Sequence, residues 1–128
     1  MLTERQGSGL LVVVLLAGGC GPSAPTVPLP ADWSLVPSPA HPQIREAADH
    51  CRTHPRDPAA FESLAAIYHG NEQTDLAAQC YEMALALGSR SAKAHYLLGL
   101  IRRERGASQA AILHFREAAA LEATYGPV

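Results

Sequence analysis

Residues 58–91 read PAAFESLAAIYHGNEQTDLAAQCYEMALALGSRS, and residues 92–125 read AKAHYLLGLIRRERGASQAAILHFREAAALEATY. At an offset of 34, Phe61 falls over His95, Leu64 over Leu98, Ala65 over Gly99 and Ala77 over Ala111. Tyr81 then falls over Phe115, Ala84 over Ala118 and Leu87 over Leu121. Small residues repeat as small, rings as rings. Such a period marks units that cannot bury their apolar face alone and must stack on a copy of themselves. Helices cross closely only where side chains are small. Ala65 and Gly99 are therefore expected to meet Ala77 and Ala111, with Tyr81 and Phe115 filling the space between successive units.

Local signals mark the helix boundaries. Asp57 is an N-cap before Pro58, which suits the first helical position. That helix is expected to run to about His69, with Gly70-Asn71 as the turn. The next starts near Thr74, with Asp75 at its positive end, and stops at Gly88. A third begins near Ser91 and closes with Arg102, Arg103 and Arg105 before Gly106, cations at the carbonyl end. A fourth runs from near Ser108 to near Leu121. Upstream, Ile44, Ala47, Ala48 and Cys51 keep helical spacing after Pro42, so 43–57 reads as an additional helix and its turn. Thr124-Tyr125-Gly126-Pro127-Val128 looks like the beginning of a further helix.

The aligned positions resemble the tetratricopeptide repeat (TPR), with 58–91 as the first repeat and 92–125 as the second. The resemblance departs at Arg102, which stands where the first copy has Tyr68, and at Ser89 and Ala123, where the family usually has proline. It implies an all-α fold: a right-handed α-solenoid of antiparallel helix hairpins, about two repeats plus the degenerate capping helix of 43–57. It also implies a peptide-binding groove on the concave face. Carried over residue by residue, that groove takes Ala59, Glu62, Ala66 and His69, then Lys93, Tyr96, Leu100 and Arg103. Lys93 and Arg103 would meet an acidic peptide or stand solvated. Repeat packing falls to Leu64, Ala65, Ala77, Tyr81, Ala84, Leu98, Gly99, Ala111, Phe115 and Ala118.

The N-terminus reads as a targeting segment. The apolar run of 10–17 is too short to span a bilayer, which needs roughly 20 apolar residues. It suits the core of a signal peptide, with Arg5 before it. The run ends in Ala17-Gly18-Gly19-Cys20, which resembles the bacterial lipobox, although Ala17 stands where that family prefers Leu. The resemblance implies a signal peptide of 1–19 and lipidation of Cys20 by a diacylglyceryl group and an acyl chain such as palmitate. The alternative is an ordinary signal peptide with Cys20 following the cut by chance. Gly21 in place of Asp favours, by analogy with enteric sorting, the periplasmic side of an outer membrane in a Gram-negative source.

Between Gly21 and Pro42 lie seven prolines, a density that excludes regular helix and sheet. Residues 20–42 are therefore expected to form a disordered, extended tether. Its apolar island of Trp33, Leu35 and Val36 is expected to rest on the neighbouring helices, the alternative being a short recognition motif.

Composition narrows the function. The net charge of −2 leaves no basic excess for nucleic acid. His50 and His54 share a helix face at metal-ligand spacing, but Cys51 points away and supplies no third ligand, so no metal is expected. Cys51 and Cys80 are expected to stay free thiols, a bridge between them being the alternative. Ser63, His69 and Glu72 are close in sequence, yet nothing orients them as a triad. No cofactor motif occurs, and no enzyme is expected. The expectation is a membrane-anchored scaffold of the cell envelope that binds another protein through an extended peptide or helix. The alternative is a structural lipoprotein that self-assembles as a homo-oligomer through its C-terminal face.

Overall fold

The computed structural model describes residues 26–125. The signal segment of 1–19, Cys20, residues 21–25 of the Pro-rich stretch and residues 126–128 lie outside the described residues. The described chain is all-helical and contains no strand. Five helices pack against one another: α1 (His41–Thr53), α2 (Pro58–Gly70), α3 (Thr74–Ala86), α4 (Ala92–Glu104) and α5 (Ser108–Tyr125). The main packing partners are helices adjacent in sequence, most extensively α2 with α3 and α4 with α5.

The backbone repeats with the sequence. Asp57 caps α2, its carboxylate accepting from the Ala59 N–H at 3.0 Å, and Ser91 caps α4, accepting from the Ala94 N–H at 3.1 Å. The two caps are 34 residues apart. The same spacing separates the bonds that close the two helices, Gln73 N–H to Tyr68 O at 2.9 Å and Ala107 N–H to Arg102 O at 2.8 Å. It also separates the left-handed residues that make these closures possible, Glu72 (φ 61°) and Gly106 (φ 78°). Glycine fits this conformation without steric cost, whereas glutamate holds it under strain. The turn expected at Gly70-Asn71 thus pivots on Glu72, steadied by Asn71 Nδ2 donating to Ile67 O at 2.8 Å.

The core runs through all five helices. Ile44, Ala48 and Cys51 come from α1, and Phe61, Leu64, Ala65 and Tyr68 from α2. Ala77, Cys80, Tyr81 and Ala84 come from α3, Ala94, Leu98 and Ile101 from α4, and Ala111 and Ala118 from α5. No buried polar or charged residue occurs among the described residues. Cys51 and Cys80 are buried free thiols.

Three sequence expectations need correcting. The first concerns Gly99. A Cβ there would stand 2.6 Å from Cε1 of Phe115, so this glycine receives the Phe115 ring, and the ring folds back onto its own hairpin instead of reaching a following unit. The second concerns α5, which continues unbroken to Tyr125. The segment Ala118-Ala-Ala-Leu-Glu-Ala123 is strongly helix-forming, and Glu122 stands at the position where Gly88 ends α3.

The third concerns the stretch expected to be a free tether. From Thr26 onward it lies against the helices as a strap. Val36 is buried, and Val27 and Trp33 pack against the core. Asp32 caps a 3₁₀ turn at Trp33–Leu35, and a second turn, Ser38–Ala40, leads directly into α1. The His41 ring nitrogen Nε2 lies 3.0 Å from both Trp33 O and Val36 O. Tyr68 donates its hydroxyl to Pro28 O at 2.8 Å, and Gln73 Nε2 donates to Leu35 O at 3.2 Å. Arg45 lies over the Trp33 ring, 4.2 Å from its centroid. Proline prevents helix here but not packing, and Val27, Trp33 and Val36 find nearby surface to cover. Leu35 stays 73% exposed.

Candidate functional site

On α2, Ala59, Glu62, Ser63 and Ala66 fall on one helical stripe and line a hollow of about 290 Å³ together with Lys93 and Ala94 of α4. Tyr81 of α3 forms its floor. Burial first, and then the carboxylate of Glu62, push the Tyr81 hydroxyl up to about 12, so it stays a neutral phenol. Glu62 is partly committed to structure, because Ser89 donates its hydroxyl to Glu62 Oε2 at 2.5 Å and also accepts from the Ser91 N–H at 3.1 Å. That carboxylate ties the α3–α4 loop back to α2.

The hollow continues at both ends. Ser63 also borders a groove between α1 and α2, floored by Ala47, Ala60 and Ile67 and edged by Glu46 and Asp49. Lys93 also borders a groove between α4 and α5, where Tyr96 and Phe115 stand with ring centroids 5.8 Å apart. One open surface therefore crosses the molecule from α1 to α5.

Of the groove residues expected from sequence, the structure brings Ala59, Glu62, Ala66 and Lys93 together in the central hollow, with Tyr96 in the adjoining groove. His69, Leu100 and Arg103 sit further along, toward the C-terminal ends of α2 and α4; the first two are half-buried and Arg103 is exposed. Sequence reasoning missed Ser63, Ala94 and Tyr81. Ser63 was accessible from its spacing of four from Ala59. For Tyr81 the repeat pattern specifies packing alone.

His50 and His54 stack with centroids 4.2 Å apart, and Cys51 beside them is fully buried. Among the described residues no group of three or more His, Cys, Asp or Glu is arranged to hold a metal ion. No protein-family model matches this chain, and no curated protein matches it either.

A histidine pair that the sequence reading did not single out joins the second hairpin. His95 Nδ1 on α4 lies 3.2 Å from His114 Nδ1 on α5, a contact that needs one ring to donate and the other to accept. His114 is held below the ordinary value of 6.5 by burial first, then by His95 and Arg102, while Glu117 opposes them. A depressed folded value means that the unfolded chain takes the proton first. The stability His114 contributes is therefore fully present above pH 6.5 and is withdrawn as the pH falls below it. The urea midpoint is expected to drop between about pH 7.5 and about pH 5.5, the range in which histidine titrates, and to drop less in a His114→Asn variant. An equal drop in both proteins would remove His114 as the source.

Proposed function

We propose that this chain is a TPR-type lipoprotein, anchored through Cys20 in the cell envelope, that acts as a protein–protein interaction scaffold. In this reading α2–α3 and α4–α5 are two repeats of a right-handed solenoid and α1 is the capping helix. The recurrence of caps, left-handed residues and closure bonds every 34 residues supports it. The observation that carries the binding role is the continuous open surface from Glu46 on α1 to Phe115 on α5. No helix of the described residues is long and apolar enough to cross a membrane. Acidic side chains, Glu46, Asp49, Glu62 and Glu122, outnumber Lys93 along the lining, which favours an apolar peptide or helix carrying basic residues over an acidic one. No catalytic step, cofactor, metal or nucleic acid enters this role.

The test is photo-crosslinking in envelope preparations from a probe placed at Ala66. Crosslinking to a specific protein is expected, and a Glu46→Lys, Tyr96→Ala variant should lose at least ~80% of it, since reversing a complementary charge and removing an aromatic anchor typically weakens binding about tenfold or more. Unchanged crosslinking in the variant would show that the partner does not use this surface.

Self-assembly is the second reading. Ile112 and Leu113 on α5 are 43% and 61% exposed, and a helix face of this kind often meets another protein surface. Light scattering that reports a strict monomer at high concentration would exclude it.

A further inference from the structure

The strap and the groove lie on opposite sides of the α2–α3 hairpin. On α3, Pro28 and Thr26 lie beside a stripe formed by Gln79, Glu82, Met83 and Ala86. Tyr81, the floor of the groove, is two residues on from Gln79 and therefore about 200° round the helix. On α2 the same relation holds. Ala66 lines the groove, and Tyr68, about 200° further round, reaches Pro28 on the strap side.

Only five residues separate Cys20 from Thr26, and even fully extended this stretch spans at most roughly 20 Å. The first described residue of the chain is therefore held near whatever Cys20 is attached to. Two of the exposed large apolar side chains, Leu29 (42%) and Leu35 (73%), stand on this same strap. Beside it Asp75 pairs with Arg105 and Glu82 with Arg102, while Asp32, Glu72 and Glu104 leave a small acidic excess. A weakly acidic face with two protruding leucines suits zwitterionic phospholipid headgroups and disfavours anionic ones.

We infer that the strap face lies against the phospholipid surface, with Leu29 and Leu35 dipping into it, so that the peptide groove opens away from the membrane. This inference rests on the proposed anchor at Cys20. It assigns to the strap a role that the groove does not share: the strap fixes which side of the scaffold a partner can reach.

Two separate measurements keep the anchor and the orientation distinguishable. The intact mass of the chain purified from bacterial membranes reads whether Cys20 carries lipid. Orientation is read on the unprocessed full chain, with the Cys20 thiol coupled to a maleimide-bearing phospholipid in phosphatidylcholine vesicles. Cys51 and Cys80 do not compete for the maleimide, because both are fully buried and burial pushes their thiols up to about 11 and about 12. Trp33, the single tryptophan, reports on the strap face. A Trp33→Phe, Ala66→Trp variant reports on the groove, and Trp33→Phe, Lys93→Trp serves as a second groove probe if the first folds poorly.

A nitroxide carried on the lipid headgroup is expected to quench Trp33 at least about twofold more strongly than a groove tryptophan, since quenching is short-ranged and the probes are separated by at least one helix diameter, roughly 10 Å. Leu35→Glu, at an exposed position, is expected to reduce the quenching of Trp33. Equal quenching at the two faces, stronger quenching in the groove, or no effect of Leu35→Glu would overturn the inference, whatever the mass of Cys20 shows.

Discussion

Replacing Phe61 with alanine is expected to remove most of the stability of this chain, by about 3–5 kcal/mol. Phe61 is fully buried on α2, in a core otherwise built largely from alanines, where few neighbours are large enough to collapse into the space it would leave. A domain of about this size holds only ~5–15 kcal/mol in total, so the variant should sit close to its unfolding midpoint in buffer. Urea denaturation followed by circular dichroism measures the loss, and a change below about 1 kcal/mol would mean that the ring is not part of a close-packed interior. The repeat supplies the internal control. His95 occupies the equivalent place in the second hairpin, yet it is only half-buried and faces His114 instead of a closed core. His95→Ala should therefore cost far less than Phe61→Ala, because the first side chain is half-buried while the second is enclosed completely.

That difference between equivalent positions also separates what could be read in the residues from what could not. Helix positions were legible because their signals are local. Asp57-Pro58 and Ser91 satisfy the amide groups of the turn beside them, and Gly106 supplies the left-handed residue that ends α4. The small residues of the α2–α3 hairpin were legible for the same reason at longer range, since an offset of 34 shows which positions must match. A repeat pattern, however, describes an interior unit with neighbours on both sides. Phe115 turns onto Gly99 of its own hairpin, where the missing Cβ leaves room for the ring. The run of helix-formers that follows it carries α5 on to Tyr125. In the groove, Lys93 and Ala66 came together because both sit on the helix stripe that the resemblance specifies. Arg103 did not join them in the central hollow, because ten residues along α4 carry it roughly 15 Å down the axis. The strap was the largest surprise. Proline density reports which backbone conformations are forbidden, and says nothing about whether an extended chain has a surface to lie on.

The strap provides the second large effect, in a Val36→Asp variant. If residues 20–42 were a free tether, this change would place a carboxylate in water and alter nothing. In the structure Val36 is only 3% exposed, and a carboxylate there would be buried without a partner, at a cost of several kcal/mol. The cheaper response is for the strap to lift off while the helices remain folded. Lifting parts both contacts of His41 Nε2 and the Gln73 Nε2 bond to Leu35 O, removes the support of the turn at residues 33–36, and leaves the hydroxyl of the buried Tyr68 without Pro28 O. Amide exchange along residues 33–40 is expected to accelerate on the order of a hundredfold, the equivalent of about 3 kcal/mol, with a red shift of Trp33 fluorescence as Arg45 and His41 leave its ring. Leu35→Asp is the matching control, since Leu35 is 73% exposed and the same charge there should change neither signal. Equal behaviour of the two variants would return the strap to the status of a tether. Loss of all helical signal in Val36→Asp would instead make the strap part of the cooperative core, since the helices would then fold only with that segment seated on Tyr68.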